Sequence, residues 1–148
     1  MNSLLDKIIP IKIDHTYCIS INERNDRRIL VKQECQKINL KFQFVLTDKD
    51  INDPIRGCLN SHIYCINHAK QNNYKYILIL EDDIKFDIEN INNIINKKVE
   101  LNIPSDFDML YLGYHMNNGY KYSDNVLKIQ STQTTHCYIL NSNIYDYI

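Results

Sequence analysis

Tryptophan is absent from this chain of 148 residues, and glycine and proline occur only three times each. The scarcity of glycine excludes most. A Walker phosphate loop, a dinucleotide-binding fingerprint and the Gly-rich activating loop of nucleotidyltransferases all need glycines at close spacing, and none fits this chain. No Gly-x-Ser-x-Gly elbow and no catalytic Cys-His pair is found either. Charge of one sign is also lacking. With 17 basic and 18 acidic residues the formal net charge is −1, so no general field draws the chain to nucleic acid or anionic membrane, and any phosphate recognition has to be local. No stretch approaches the roughly 20 uninterrupted apolar residues that span a bilayer. The segment Met1 to Pro10 carries Asp6 and Lys7 and has no small-residue cleavage site, so it does not read as a signal peptide. Together these absences lead us to expect a soluble, cytoplasmic protein with no membrane span and no nucleic-acid partner. The cysteines (Cys18, Cys35, Cys58, Cys65 and Cys137) are odd in number and scattered, which fits reduced core thiols better than a disulfide framework.

What is present suits one globular domain. The apolar fraction is 44%, ordinary for a chain of this length. Heavy use of Ile, Asn, Lys and Tyr, including the Asn-rich stretch Asn90 to Asn96, reads as an AT-rich compositional bias. The most informative segment is Ile77-Leu78-Ile79-Leu80-Glu81-Asp82-Asp83, an aliphatic run opening directly into three carboxylates. Such runs suit the buried central strands of parallel sheets, and ligands of open α/β sheets bind beyond the carboxyl ends of those strands. Crowded acids repel one another and lose hydration when buried, so a counter-cation holds them together economically. Oxygen ligation favours a hard ion, Mn²⁺ or Mg²⁺. Strands also end in acids that are simply solvated.

The rest of the chain alternates strands and helices. Tyr17 to Ile21 reads as a first strand, followed by the polar turn Asn22 to Asn25 and a helix that Asp26 caps. Val31, Cys35 and Ile38 form its apolar stripe. Alternation at Phe42, Phe44 and Leu46 predicts a second strand. A helix from Gly57 to Gln71, with Leu59, Ile63, Ile66 and Lys70 about one turn apart, leads to the acidic strand. Ile84, Ile88, Ile91 and Ile95 keep helical spacing, with Asp87 as a cap. Asp108 to Gly113 and His136 to Leu140 read as later strands, and Tyr114 to Gln130 as a surface excursion without clear period. The pattern predicts a three-layer α/β sandwich with a mostly parallel sheet.

Three further constellations bear on chemistry. Arg24, Arg27 and Arg28 surround the first strand-to-helix turn, where helix N–H groups and guanidinium forks suit phosphate; arginines in turns are also commonly just solvated. Cys58, His62, Cys65 and His68 invite a zinc reading, but at about 1.5 Å rise per residue the first and last lie roughly 15 Å apart, too far for one ion with bonds of about 2.0–2.3 Å. At most an i, i+4 pair can share a metal. His136, in Thr134-Thr135-His136-Cys137-Tyr138, opens a late strand, and a neutral imidazole there is an acceptable Mn²⁺ ligand.

In order along the chain, Tyr17 to Arg28, Gly57-Cys58-Leu59-Asn60-Ser61-His62, Ile77 to Asp83, Asp108 to Gly113 and Thr135 to Leu140 resemble glycosyltransferase family 25. This group includes lipooligosaccharide galactosyltransferases and collagen galactosyltransferases. The resemblance implies a GT-A type, Rossmann-like fold over residues 15–148, preceded by an N-terminal extension over residues 1–14. It implies a metal-dependent, inverting transfer of a hexose, galactose or glucose, from a UDP-sugar to a glycan or hydroxylysine-type acceptor. By carry-over, Asp83 and Glu81 would hold Mn²⁺ (or Mg²⁺), with His136 as a further ligand, and Asp82 would face the sugar or ribose. Ser20, Ile21, Asn22, Arg24 and Arg28 would hold the base and ribose, while Gly57, Ser61 and His62 would shape the donor pocket. Inversion also requires a carboxylate base on the acceptor hydroxyl, and no residue is singled out for it. The chain departs from the family in two respects. Family domains continue beyond the last strand, so the C-terminal part is expected to be incomplete, and the acid that commonly precedes the Gly-Cys pair is replaced in Pro54-Ile55-Arg56-Gly57. A truncated remnant that binds nucleotide sugar or a partner protein without transfer is the alternative.

Overall fold

The computed structural model describes residues 3–113, 115–132 and 135–148; Tyr114 and Thr134, named above, and Met1 at the start of the N-terminal segment fall outside this set. Strand β1 (His15–Ile21) leads through a short turn to helix α1 (Asn25–Lys37), then to β2 (Gln43–Thr47), α2 (Pro54–Gln71), β3 (Tyr76–Glu81) and α3 (Ile88–Asn96). Strands β4 (Met109–Gly113), β5 (Met116–Ser123), β6 (Val126–Thr132) and β7 (Cys137–Asn141) complete the order. A five-stranded sheet runs β2-β1-β3-β7-β4, and among the described residues β5 pairs only with β6.

The sheet is mixed. Strands β2, β1 and β3 pair in parallel, joined by α1 and α2, whereas β7 is antiparallel to both β3 and β4. The expectation of a mostly parallel sheet therefore gives way at β7. Parallel neighbours need a long crossover, usually helical; between β4 and β7 the chain supplies a hairpin instead, so β7 returns antiparallel. The excursion expected after the Asp108 to Gly113 strand is that hairpin, β5–β6.

Strand alternation splits the core into two layers. Cys18, Leu78, Leu80 and Ile139 meet Val31, Cys35 and Ile38 of the α1 segment and Ile91 of α3. On the opposite face Tyr17, Ile19, Ile77, Ile79 and Leu140 meet Cys65, Ile66 and Ala69 of α2. Helices thus cover both faces, as expected of a three-layer α/β sandwich. The segment before β1 contributes Leu5 and Ile9 to the α1 side.

Local corrections concern the helices. The Arg24 backbone, not Asp26, occupies the cap position of α1, and Asp26 lies in the first turn. Helix α2 starts at Pro54, with the Asp53 carboxylate accepting from the Arg56 N–H. Its buried face is Ser61, His62, Cys65, Ile66 and Ala69, while Leu59 is exposed. The stripe through Leu59, Ile63 and Lys70 is rotated away because Ala69 and Cys65, small enough for close packing, are the residues that face the sheet. Asp87 caps α3 as expected, accepting from the Asn90 N–H, but Ile84 is buried before the helix begins.

Candidate functional site

Alternation along β3 gives the adjacent acids different surroundings. Ile77, Ile79 and Glu81 share the α2 face; Leu78, Leu80 and then Asp82 turn toward α1. Asp82 is buried and needs partners there. The Ser20 hydroxyl donates to its Oδ2 at 2.7 Å, and Arg27 Nη1 reaches its Oδ1 at 3.2 Å. The same Arg27 nitrogen donates to Asp83 Oδ2 at 3.0 Å, tying the first turn of α1 to the end of β3.

Glu81 faces the other way. The Thr135 hydroxyl donates to its Oε1 at 2.7 Å, and His136 Nδ1 lies 3.2 Å from its Oε2. His136 Nδ1 is also 3.6 Å from Asp83 Oδ1. This proximity is a product of topology: because β7 runs antiparallel to β3, its first residues lie beside the last residues of β3. Ligand atoms of Glu81, Asp83 and His136 all lie within 4.8 Å of one another, a spacing from which one ion can gather them. Burial alone would raise the Glu81 carboxyl, but its neighbours His62, Thr135 and His136 outweigh it and hold the group down at about 2, against an ordinary 4.5.

Beside the acids a cleft of about 180 Å³ runs between the carboxyl ends of β1 and β2 and the start of α2. Ser20, Ile21, Gly57, Ser61, His62, Glu81 and Asp82, all expected site residues, line it, as does Arg27. It adjoins a shallower groove of about 490 Å³ along β2, which shares Thr47 to Asp50, Gly57 and Ser61 with it. Gly57 has a steric role: a Cβ there would stand 2.8 Å from the Asp50 Cβ, so glycine lets α2 approach the Asp50 turn.

The remaining expected residues have other partners. Arg28 donates to the carbonyls of Ile21 and Asn22 at 2.7 and 2.9 Å and so braces the β1–α1 turn. Asn22 donates to Asp48 at 2.6 Å. Arg24 pairs with Asp26 at 2.8 Å on the surface. The sequence places Arg27 in the arginine-rich turn, but only Arg24 and Arg28 are expected to contact the donor; it is Arg27 that meets the acids, and the sequence reading gives Thr135 and Tyr138 no role. The adjacency of β1 to β3 is the signal for Arg27, since it places the β1–α1 turn beside the acids. His68, once separated from the zinc reading by helix geometry, shares a 2.7 Å hydrogen bond with the Tyr17 hydroxyl. All five cysteines are free, and all but Cys58 are buried. No helix is long and apolar enough to cross a membrane among the described residues.

Among comparisons with known proteins, one family model matches. The family model described as "Glycosyltransferase family 25 (LPS biosynthesis protein)" matches residues 46–147. No curated protein sequence matches the chain. Among solved structures, the chain is similar to a glycosyltransferase involved in the glycosylation of the major capsid of PBCV-1, at 12% identity and a TM-score of 0.43, over 90% of this chain and 62% of that one. The chain thus spans less than two thirds of the length of that relative.

Proposed function

The chain belongs to glycosyltransferase family 25, and from that premise we propose that it is a cytoplasmic GT-A type transferase, moving a hexose from a UDP-sugar to a glycan or protein acceptor with inversion. The observation that carries this reading is the convergence of Glu81, Asp83 and His136 within 4.8 Å at the rim of a cleft formed by strand carboxyl ends. Two carboxylates and one imidazole suit Mn²⁺ or Mg²⁺. A bound ion would supply Lewis-acid neutralisation of the leaving diphosphate.

The chain's own residues do the rest. Arg27, held by Asp82 and Asp83, brings a guanidinium to the cleft where donor phosphate would lie. Ser20 fixes the Asp82 carboxylate beside the cleft. Gly57 and Ser61 leave room at the start of α2 for the donor. Arg28 keeps the turn between β1 and α1 in shape by holding two of its carbonyls.

The test is hexose transfer or donor hydrolysis with UDP-galactose and UDP-glucose, with and without Mn²⁺. Wild type is expected to be active only with metal, and Asp83→Ala to lose activity by at least about 100-fold, as for removal of one electrostatic contact to the transition state. Equal background signals in all conditions would favour the binding-only alternative. One observation speaks for that alternative: Arg27 already provides Asp82 and Asp83 with a counter-charge from within the chain.

A further inference from the structure

Glu81 divides its two carboxylate oxygens between two groups of side chains. Oε2 faces His136, while Oε1 faces His62 Nε2 at 3.6 Å. Cys58, one turn before His62 on α2, completes a second cluster in which ligand atoms of Cys58, His62 and Glu81 lie within 4.8 Å of one another. In a tetrahedral zinc site with bonds of about 2.0–2.3 Å, such atoms stand roughly 3.3–3.8 Å apart, so small side-chain rotations close the set. All three residues line the cleft.

The state of His62 is a second, independent observation. The residue is 7% exposed, and its Nε2 is buried with no hydrogen-bond partner. Its other nitrogen, Nδ1, lies 2.6 Å from the Tyr138 hydroxyl, and the two rings stack with centroids 5.7 Å apart. Metal-binding histidines are arranged in this manner: one nitrogen is held by an oxygen behind the ring, and the other is presented bare to the ion. A buried nitrogen that makes no hydrogen bond is under-satisfied, and Glu81 Oε1 at 3.6 Å stands too far to serve as an acceptor.

We propose that Cys58 Sγ, His62 Nε2 and Glu81 Oε1 form a binding site for a borderline-soft divalent cation of the zinc class, with the fourth coordination position open to the cleft. Thiolate and imidazole select such an ion over Mn²⁺, whereas the oxygen-rich set on the far side of Glu81 has the opposite preference. On binding, the Cys58 thiol releases its proton to solvent and the sulfur forms the metal bond; thiolate and carboxylate then balance the ion's double charge. The sequence allowed only an i, i+4 pair on this helix, and β3 provides the third ligand. The site stands on this geometry and not on the transferase reading.

Cobalt substitution tests it, because only a sulfur ligand gives a near-ultraviolet thiolate-to-cobalt charge-transfer band. Titrating the purified, reduced protein with Co²⁺ should raise that band with one equivalent, and Zn²⁺ should abolish it. Cys58→Ser should lose the band while keeping the native circular dichroism spectrum, and Cys65→Ser should retain it. Tyr138→Phe should weaken zinc about 10–100-fold in a chelator competition. Asp83→Asn should keep the band although it removes a ligand of the oxygen-rich cluster, so failure here and failure of the transferase reading are separable. No band in wild type, or a band that persists in Cys58→Ser, overturns the site and leaves a buried His62 beside a part-exposed Glu81.

Discussion

Ser20 donates to a carboxylate that has almost no access to water, so its hydroxyl bears directly on stability. Ser20→Ala should cost about 1–3 kcal/mol, the range for leaving a buried acceptor short of a partner, measurable as a lower urea midpoint at unchanged slope. Glu81 behaves differently because its partners depress its carboxyl to about 2 from 4.5. A group with a lowered folded-state value contributes stability that is complete above its ordinary value and is lost as pH falls toward the folded one. The melting-temperature difference between wild type and Glu81→Gln should therefore shrink as pH falls from 4.5 toward about 2; a constant difference would refute the depressed carboxyl. At this scale the acids were legible because three carboxylates after an aliphatic run have few other readings. The arginines were not. Arg24, Arg27 and Arg28 are chemically identical in sequence, and only the distance from the β1–α1 turn to the end of β3 separates the one that meets the acids from those that pair with Asp26 and with backbone carbonyls.

Helix α2 positions Cys58, Ser61 and His62, so its start is where an element-level change should be felt. Its cap is Asp53, followed by a proline in the first turn, an arrangement that satisfies free N–H groups and fixes the entry angle. Asp53→Ala should lower stability by about 1 kcal/mol, seen in thermal or urea unfolding, and a change below a few tenths would show that the Asp50 turn fixes the helix start without it. Both signals, the capping acid and the proline, stand in the sequence; the glycine at position 57 draws the expected boundary one turn too late. Strand directions were less accessible. The strand at Cys137 to Leu140 is plain from its apolar run, but its orientation depends on what joins it to β4, and the polar β5–β6 hairpin gives no helical or strongly alternating period to read.

Over the whole molecule, protection should follow the layered core. Strands β1, β3 and β7 are covered on both faces, whereas β5 and β6 form a separate pair with mostly exposed side chains. In native-state hydrogen exchange, amides of Ile77 to Leu80 and Ile139 to Leu140 should exchange slowest, near the global opening energy, and those of the hairpin fastest. Slow exchange in the hairpin would mean that something else covers it. The α/β class and the layering were open to sequence reading because apolar strand runs alternate with segments of helical spacing through the first half of the chain.

The insertion of β7 between β3 and β4 also sets an order of assembly during synthesis. Every other strand of the sheet leaves the ribosome earlier, yet β3 and β4 have a vacant lane between them until residues 137–141 emerge. His136 and Thr135 arrive with that late strand, so until the last lane is filled Glu81 and Asp83 lack the side chains that β7 brings to them.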